Sequence, residues 1–214
     1  MTIEEDKALS TSSYWDGRYQ QSESDVPTHE WFKSYSELEP FLAKNLFSVQ
    51  GLRPEDDPQI LHLGSGDSTV PSDLASRGYT RQLCFDFSPV VVKMMSERHN
   101  HIQGIQWRQV DVRDMNSVED GAVDVAFDKG TLDAMIWGSN WSPPDEVRDN
   151  TSKYLREVHR VLKDNGAFLY LTFRQPHFMK PLLNPDGLWD LDLQVLSGGG
   201  GFDYYGYVIR KSKY

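Results

Sequence analysis

Cysteine is almost missing from this 214-residue chain: Cys84 stands alone, inside an apolar run. A lone thiol forms no intramolecular disulfide and no cysteine-based metal cluster, so a reducing compartment is expected and no metal site is assigned. No apolar run approaches the roughly 20 residues needed to cross a bilayer. The opening segment MTIEEDKALS is acidic without an apolar centre, unlike a secretory or transit peptide. The expected compartment is the cytoplasm, with the nucleus as an alternative, and no membrane partner is expected. Basic residues are outnumbered, 22 Lys and Arg against 32 Asp and Glu, for a net charge of -10. Such a surface repels phosphates rather than displacing their counterions, which argues against nucleic acid as a partner. There are no internal repeats.

What is present fits one globular domain with a substantial core: 38% of the residues are apolar and 12% aromatic. Residues 1–33 are polar yet carry Tyr14, Trp15, Tyr19, Trp31 and Phe32, more aromatics than a free tail keeps. This segment is expected to pack as a lid on a single domain spanning 34–214. Within 36–47, Leu38, Phe41, Leu42 and Leu46 share a helical face, and Pro40 is tolerable only in the first turn. From residue 59 strands and helices alternate. QILHLG is a short apolar strand ending in glycine, and VPSDLASRG a helix closed by Gly78. RQLCFDF is a second strand, followed by Ser88 as N-cap and Pro89 at the first helical position. IQWRQV (105–110) and VDVAFD (123–128) are the third and fourth strands. A helix from about 145 to 163 buries Tyr154, Leu155, Val158, Val161 and Leu162 and ends at Asn165-Gly166. AFLYLTF follows as a fifth strand, and the last stretch reads as two strands joined by the four glycines at 198–201. The pattern predicts an α/β, Rossmann-like fold: a mostly parallel sheet flanked by helices, closed by a C-terminal antiparallel hairpin.

The chemistry concentrates where the first strand ends. In Leu61-His62-Leu63-Gly64-Ser65-Gly66-Asp67-Ser68, Gly64 and Gly66 let the backbone approach a ligand, and a helix N-terminus offers free amides. Asp86 ends the second strand, 20 residues beyond Gly66, where a carboxylate accepts from both hydroxyls of a ribose. Capping of the next helix is its alternative. Asp111-Val112 lies just past the third strand, placed to accept from an adenine amine and cover the ring, or else to form a turn before Arg113. A dinucleotide or S-adenosylmethionine (SAM) fits this arrangement. The dinucleotide fingerprint wants a third glycine three residues after the second, where this chain has Thr69. Asp67 also suits a ligand bearing an ammonium and a sulfonium better than a pyrophosphate. SAM is therefore the expected cofactor.

Tyr14-Trp15-Asp16-Gly17-Arg18-Tyr19, Glu30-Trp31-Phe32 and Asp128-Lys129-Gly130-Thr131-Leu132-Asp133-Ala134 form a distinctive combination. With them the chain resembles the class I (seven-β-strand) SAM-dependent lysine methyltransferases that act on translation elongation factor 1-alpha. It is similar to the group associated with endothelin-converting enzyme 2, and to the N-terminal half of a larger dual elongation-factor methyltransferase. The likeness runs from about Tyr14 to Lys211. It implies that Trp15, Tyr19 and Trp31 close over SAM, Gly64 contacts its methionine part, Asp86 and Phe87 its ribose and adenine, and Asp111-Val112 its adenine. Lys129 would lie beside the methionine end. The chain departs from its relatives at Ser65 and Asp67, where cysteine and asparagine are common, and at Asp128, where glutamate is usual.

The resemblance implies a protein substrate, elongation factor 1-alpha, methylated on lysine. Such an amine, which ordinarily titrates at about 10.4, must lose a proton before it attacks. Asp128, at the end of the fourth strand, is the candidate for orienting it, with helix capping or pairing with Lys129 as the alternative. The aromatics suit a sulfonium, although Trp15 and Trp31 could equally anchor the N-terminal segment. Acceptor recognition is expected from 138–150 and from Arg174-Gln175-Pro176-His177-Phe178. No Asn/Asp-Pro-Pro-Tyr element is present, which disfavours a nucleobase amine as acceptor. A small-molecule methyltransferase and a SAM-binding regulatory subunit are the alternative readings.

Overall fold

The computed structural model describes residues 2–21, 30–197 and 202–212. Seven strands form one sheet: β1 (Ile60–Leu63), β2 (Gln82–Asp86), β3 (Ile105–Gln109), β4 (Val123–Lys129), β5 (Leu162–Thr172), β6 (Trp189–Ser197) and β7 (Asp203–Lys211). Their order is β3-β2-β1-β4-β5-β7-β6. The first five are parallel, and β7 runs antiparallel between β5 and β6. This is the expected Rossmann-like sheet with its closing hairpin; the glycines expected to turn that hairpin lie outside the described residues. The helices are α1 (Ile3–Ala8), α2 (Ser12–Gln21), α3 (Tyr35–Leu42), α4 (Val70–Ser76), α5 (Pro89–Arg98), α6 (Thr131–Met135), α7 (Asp145–Val161) and α8 (Pro176–Leu183). The chain leaves β1 towards β2 on one side and returns to β4 on the other. That reversal opens a crevice beyond the carboxyl ends of the strands.

β5 is apolar along most of its length because helices cover both of its faces. Phe168 and Tyr170 share one core with Tyr154, Leu155 and Val158 of α7. Leu169 and Leu171 point the other way, into a core with Leu38, Phe41 and Leu42 of α3. Burying each such side chain fully contributes about 1.5–3 kcal/mol. Cys84 is buried in β2.

Three boundaries differ from the sequence expectation. α7 stops at Val161, and Asn165-Gly166 falls inside β5 rather than at the helix end. Leu162 already pairs with Val123, and a register shift before Val125 accommodates the extra residues. The Lys163 ammonium, 2.7 Å from an Asp124 carboxylate oxygen, ties that irregular start to β4. Pro40 lies in the second turn of α3, not the first. It is exposed there, as is Ser36 one turn earlier, whose carbonyl Pro40 leaves without its usual amide partner. Part of the second segment expected for acceptor recognition is helical, since α8 begins at Pro176, whereas α7 starts at Asp145 as expected.

Candidate active site

The loop after β1 is braced by β2. Ser65 N–H donates to the Phe85 carbonyl at 2.8 Å, and Gly66 N–H to Oδ2 of Asp86 at 3.0 Å. Asp86 Oδ1 accepts from Ser88 N–H at 2.9 Å, so this carboxylate also orders the start of α5. Burial pushes the Asp86 carboxyl up to about 6, against the pull of these two amides. Each oxygen still has a lone pair for a further donor, so bracing the loop and holding a ribose are compatible. Gly64 and Gly66 both take positive φ, 64° and 52°. A Cβ on Gly64 would lie 2.1 Å from Thr131 Oγ1, and one on Gly66 would lie 2.9 Å from the Tyr19 hydroxyl. Glycine is required here by close approach as well as by backbone conformation.

The N-terminal segment covers this loop. Trp15 stacks on Tyr19 with centroids 5.9 Å apart and meets Trp31 edge-on at 5.8 Å. The Arg18 guanidinium lies 5.0 Å over the Trp31 ring. Trp15 Nε1 donates to the Leu9 carbonyl at 2.7 Å. The Ser88 hydroxyl donates to Asp16 at 2.5 Å, and Tyr19 packs with Val91 and Met95 of α5. The three aromatics are therefore anchored to the domain while also lining the cavity. Lys129 anchors the same segment from β4: its ammonium donates to Glu30 at 2.7 Å and to the Trp31 carbonyl at 2.9 Å. Glu30 also accepts from Thr69 N–H and from the Ser68 hydroxyl. Burial opposes the Glu30 charge, but the Lys129 ammonium and these hydrogen bonds outweigh it and hold the carboxyl below its ordinary value.

Together these elements enclose a cavity of about 340 Å³, within the range of small-molecule sites. Trp15, Tyr19, Trp31, Gly64, Gly66, Asp86, Phe87, Asp111, Val112 and Lys129 all line it. Asp111 is not a free acceptor: the Arg113 guanidinium forks onto both its oxygens at 2.6–3.1 Å. Arg113 N–H also closes a turn on it at 2.9 Å, so the turn reading describes its present contacts.

Asp128 is the sequence candidate that the structure moves away from the cavity. It is fully buried, and its carboxylate accepts from Thr131 and Leu132 N–H at 2.8 and 3.0 Å and from the Tyr154 hydroxyl at 2.6 Å. It holds the first amides of α6, one of the alternatives read from the sequence, and does not line the cavity. Asp133, in the same motif but with no role assigned from the sequence, lines the cavity on this side, as does Asp6. Glu30, next to Trp31, is a further functional group to which the sequence assigns no role. Its signal was a carboxylate beside the aromatic lid in a segment otherwise read for its rings. Of the recognition segments, Arg174 lines the cavity and Trp141 is 81% exposed at the surface. Among the described residues, no His, Cys, Asp or Glu cluster is placed to hold a metal, and no helix is long and apolar enough to cross a membrane.

A methyltransferase-domain family model matches residues 61–170. The mouse protein EEF1A lysine methyltransferase 4 is 32% identical over 202 residues, covering 94% of this chain and 75% of that protein. The mouse eEF1A lysine and N-terminal methyltransferase is 30% identical over 181 residues, covering 81% of this chain but 23% of that larger protein. Among solved structures, a SAM-dependent methyltransferase from Aquifex aeolicus superposes with a TM-score of 0.60 at 15% identity, covering 91% of this chain and 97% of that one.

Proposed function

The chain belongs to the methyltransferase-domain family, and we propose that it methylates a lysine side chain of translation elongation factor 1-alpha. SAM is the methyl donor and supplies an electrophilic methyl carbon. The residues present fit it. Asp86 retains acceptor capacity at the end of β2, Gly64 and Gly66 keep the loop low, and Val112 and Phe87 give an apolar wall. Trp15, Tyr19 and Trp31 offer aromatic faces to a sulfonium, a contact worth about 0.5–2 kcal/mol.

The observation that carries this reading is the meeting of these two halves: an acidic strand end beneath an anchored aromatic lid, in a chain of net charge -10. An acidic protein favours a basic partner over a nucleic acid. Methyl transfer demands alignment and exclusion of water more than acid–base chemistry, and a lid held by Lys129 and Asp16 supplies both. Because the proposed acceptor works in translation, the cytoplasm is the proposed compartment, which cell fractionation checks.

The test is incubation with radiolabelled SAM and a cell extract, followed by the same assay on purified elongation factor 1-alpha. A labelled band at that mass, with the methyl located on a lysine by mass spectrometry, is the expected result. Label confined to metabolites would make this a small-molecule methyltransferase. No incorporation alongside retained SAM binding would make it a regulatory subunit.

A further inference from the structure

The two ends of the cavity differ in chemistry. Over β2 and β3 stand Asp86, Phe87 and Val112, the groups suited to a nucleoside; over β4 and β5 stand Asp133, Phe173 and Arg174. With the nucleoside fixed at the first end, the methyl acceptor must arrive at the second. Asp133 is the third residue of α6, and its side chain is 4% exposed. Its Oδ2 accepts from the Tyr170 hydroxyl at 2.7 Å and its Oδ1 from the Thr172 hydroxyl at 2.6 Å. Both donors rise from β5, beneath the carboxylate, and each oxygen retains a lone pair. Arg174 forms an ion pair with Oδ1, its Nε at 3.4 Å, but donates no hydrogen bond to it, so the lone pairs stay open. Its other nitrogens go to the carbonyls of Asp133 and Ile136 and to Asn140. Of the other cavity carboxylates, Asp111 is gripped by Arg113, Asp86 stands at the nucleoside end, and Asp6 accepts from Gly138 N–H.

We propose that the Asp133 carboxylate is the subsite for the acceptor's primary ammonium, an inference that rests on the lysine-methyltransferase reading above. The lysine stem enters past Phe173, which is half exposed and packs edge-on against Phe32 at 5.5 Å. Its ammonium docks on Asp133 and loses one proton to solvent at the mouth. The neutral amine then donates an N–H to Asp133, which turns its lone pair towards the donor. The nitrogen forms the new N–C bond as the methyl C–S bond breaks, with that electron pair staying on sulfur. Tyr170 and Thr172 are positioning residues that fix the carboxylate. The charged and titratable groups facing Asp133 are Asp128 on β4, Tyr154 on α7, Tyr170 on β5, Tyr207 on β7 and Arg174. Burial raises the Asp133 carboxyl to about 6, and the Thr172 and Tyr170 hydrogen bonds and the Arg174 charge oppose the rise.

The experiment compares wild type, Asp133→Asn and Tyr170→Phe on purified elongation factor 1-alpha, with SAM affinity measured by calorimetry. Asp133→Asn is expected to lower kcat/KM for the acceptor by about tenfold or more, keep the SAM Kd within about twofold, and flatten the acidic limb of the pH profile. Tyr170→Phe is expected to keep that limb and move it to higher pH. Should Asp133→Asn fail to fold, the Tyr170→Phe limb decides. The subsite is overturned by an unaltered kcat/KM and limb in Asp133→Asn, by SAM affinity falling in step with activity, or by an unmoved limb in Tyr170→Phe. A wild type that labels no lysine sinks the lysine reading itself, whereas a labelled lysine with an active Asp133→Asn sinks only the subsite.

Discussion

The Lys129 ammonium at the end of β4 lies 2.7 Å from the Glu30 carboxylate, with only 5% and 16% of the two side chains exposed. This pair joins a cavity wall to the segment that roofs it. Glu30 also reaches the start of α4 through Ser68 and Thr69, so one carboxylate links three parts of the chain.

Breaking a buried pair by removing one partner leaves an uncompensated charge, at a cost of about 3–5 kcal/mol. Glu30→Gln is therefore expected to loosen the lid and raise the SAM Kd about tenfold or more, read by calorimetry. Lys129→Met is expected to do the same, and the double variant to cost less than the two singles added, because no lone charge remains. The Glu30 carboxyl is held below its ordinary value, so its contribution is present above the unfolded-state pKa and is lost as pH falls through the lowered one. SAM affinity should stay flat near neutrality and fall only in acid. Additive losses in the double variant would break the latch argument.

The two loop glycines make separable predictions. Gly66→Ala presses a methyl towards the tip of Tyr19, at 2.9 Å from the hydroxyl oxygen. Adding Tyr19→Phe removes that oxygen and should recover much of the lost SAM affinity. Gly64→Ala meets Thr131 Oγ1 at 2.1 Å and Cβ at 2.9 Å, on a side chain pinned by hydrogen bonds to the Leu63 and Gly64 carbonyls. No single truncation short of glycine relieves it. Gly64→Ala should cost more than the roughly 1–2 kcal/mol of backbone strain alone, seen as a larger drop in Tm than Gly66→Ala.

Asp128→Asn tests the capping role. Asparagine keeps one acceptor oxygen, so α6 loses one of two amide contacts, an expected loss of about 1 kcal/mol for one hydrogen bond. Burial pushes the Asp128 carboxyl up to about 7, against the pull of Tyr154 and the two amides. The folded state therefore holds a proton that the unfolded state has released. The stability linked to that proton is full below about pH 4 and is lost as pH rises through about 7. Asparagine has no such dependence, so wild type should lead most at pH 4–5 in urea denaturation and converge with the variant by pH 8. A constant gap across this range would contradict the burial argument.

The sheet was legible because β-strand runs, caps and turn glycines are local signals, and the ribose carboxylate Asp86 follows from its distance beyond Gly66. What escaped depended on long-range contacts. Asp128 and Asp133 are five residues apart in one motif, and only the start of α6 decides which turns into the cavity. Glu30 becomes functional only when a chain segment 99 residues away delivers Lys129. The end of α7 was misplaced because Asn165-Gly166 is a strong stop signal, yet pairing of Leu162 with Val123 started the strand first.

Trp141 bears on acceptor recognition. It is 81% exposed, on the loop before α7, and meets Phe178 edge-on at 4.8 Å and His177 at 5.8 Å. An exposed tryptophan contributes little to folding, so Trp141→Ala should leave Tm and SAM affinity unchanged. Arg174 connects its loop to the cavity, donating to Asn140 at 2.8 Å while lining the wall. A protein acceptor spanning that distance would cover the ring, and truncating a covered tryptophan typically costs about 2 kcal/mol or more. The expected outcome is an acceptor KM raised about tenfold or more with kcat nearly intact. A free lysine or short amine would never reach Trp141, so its methylation, where measurable, should not change. If KM for the protein acceptor is also unmoved, the acceptor docks elsewhere and this rim is ordinary surface.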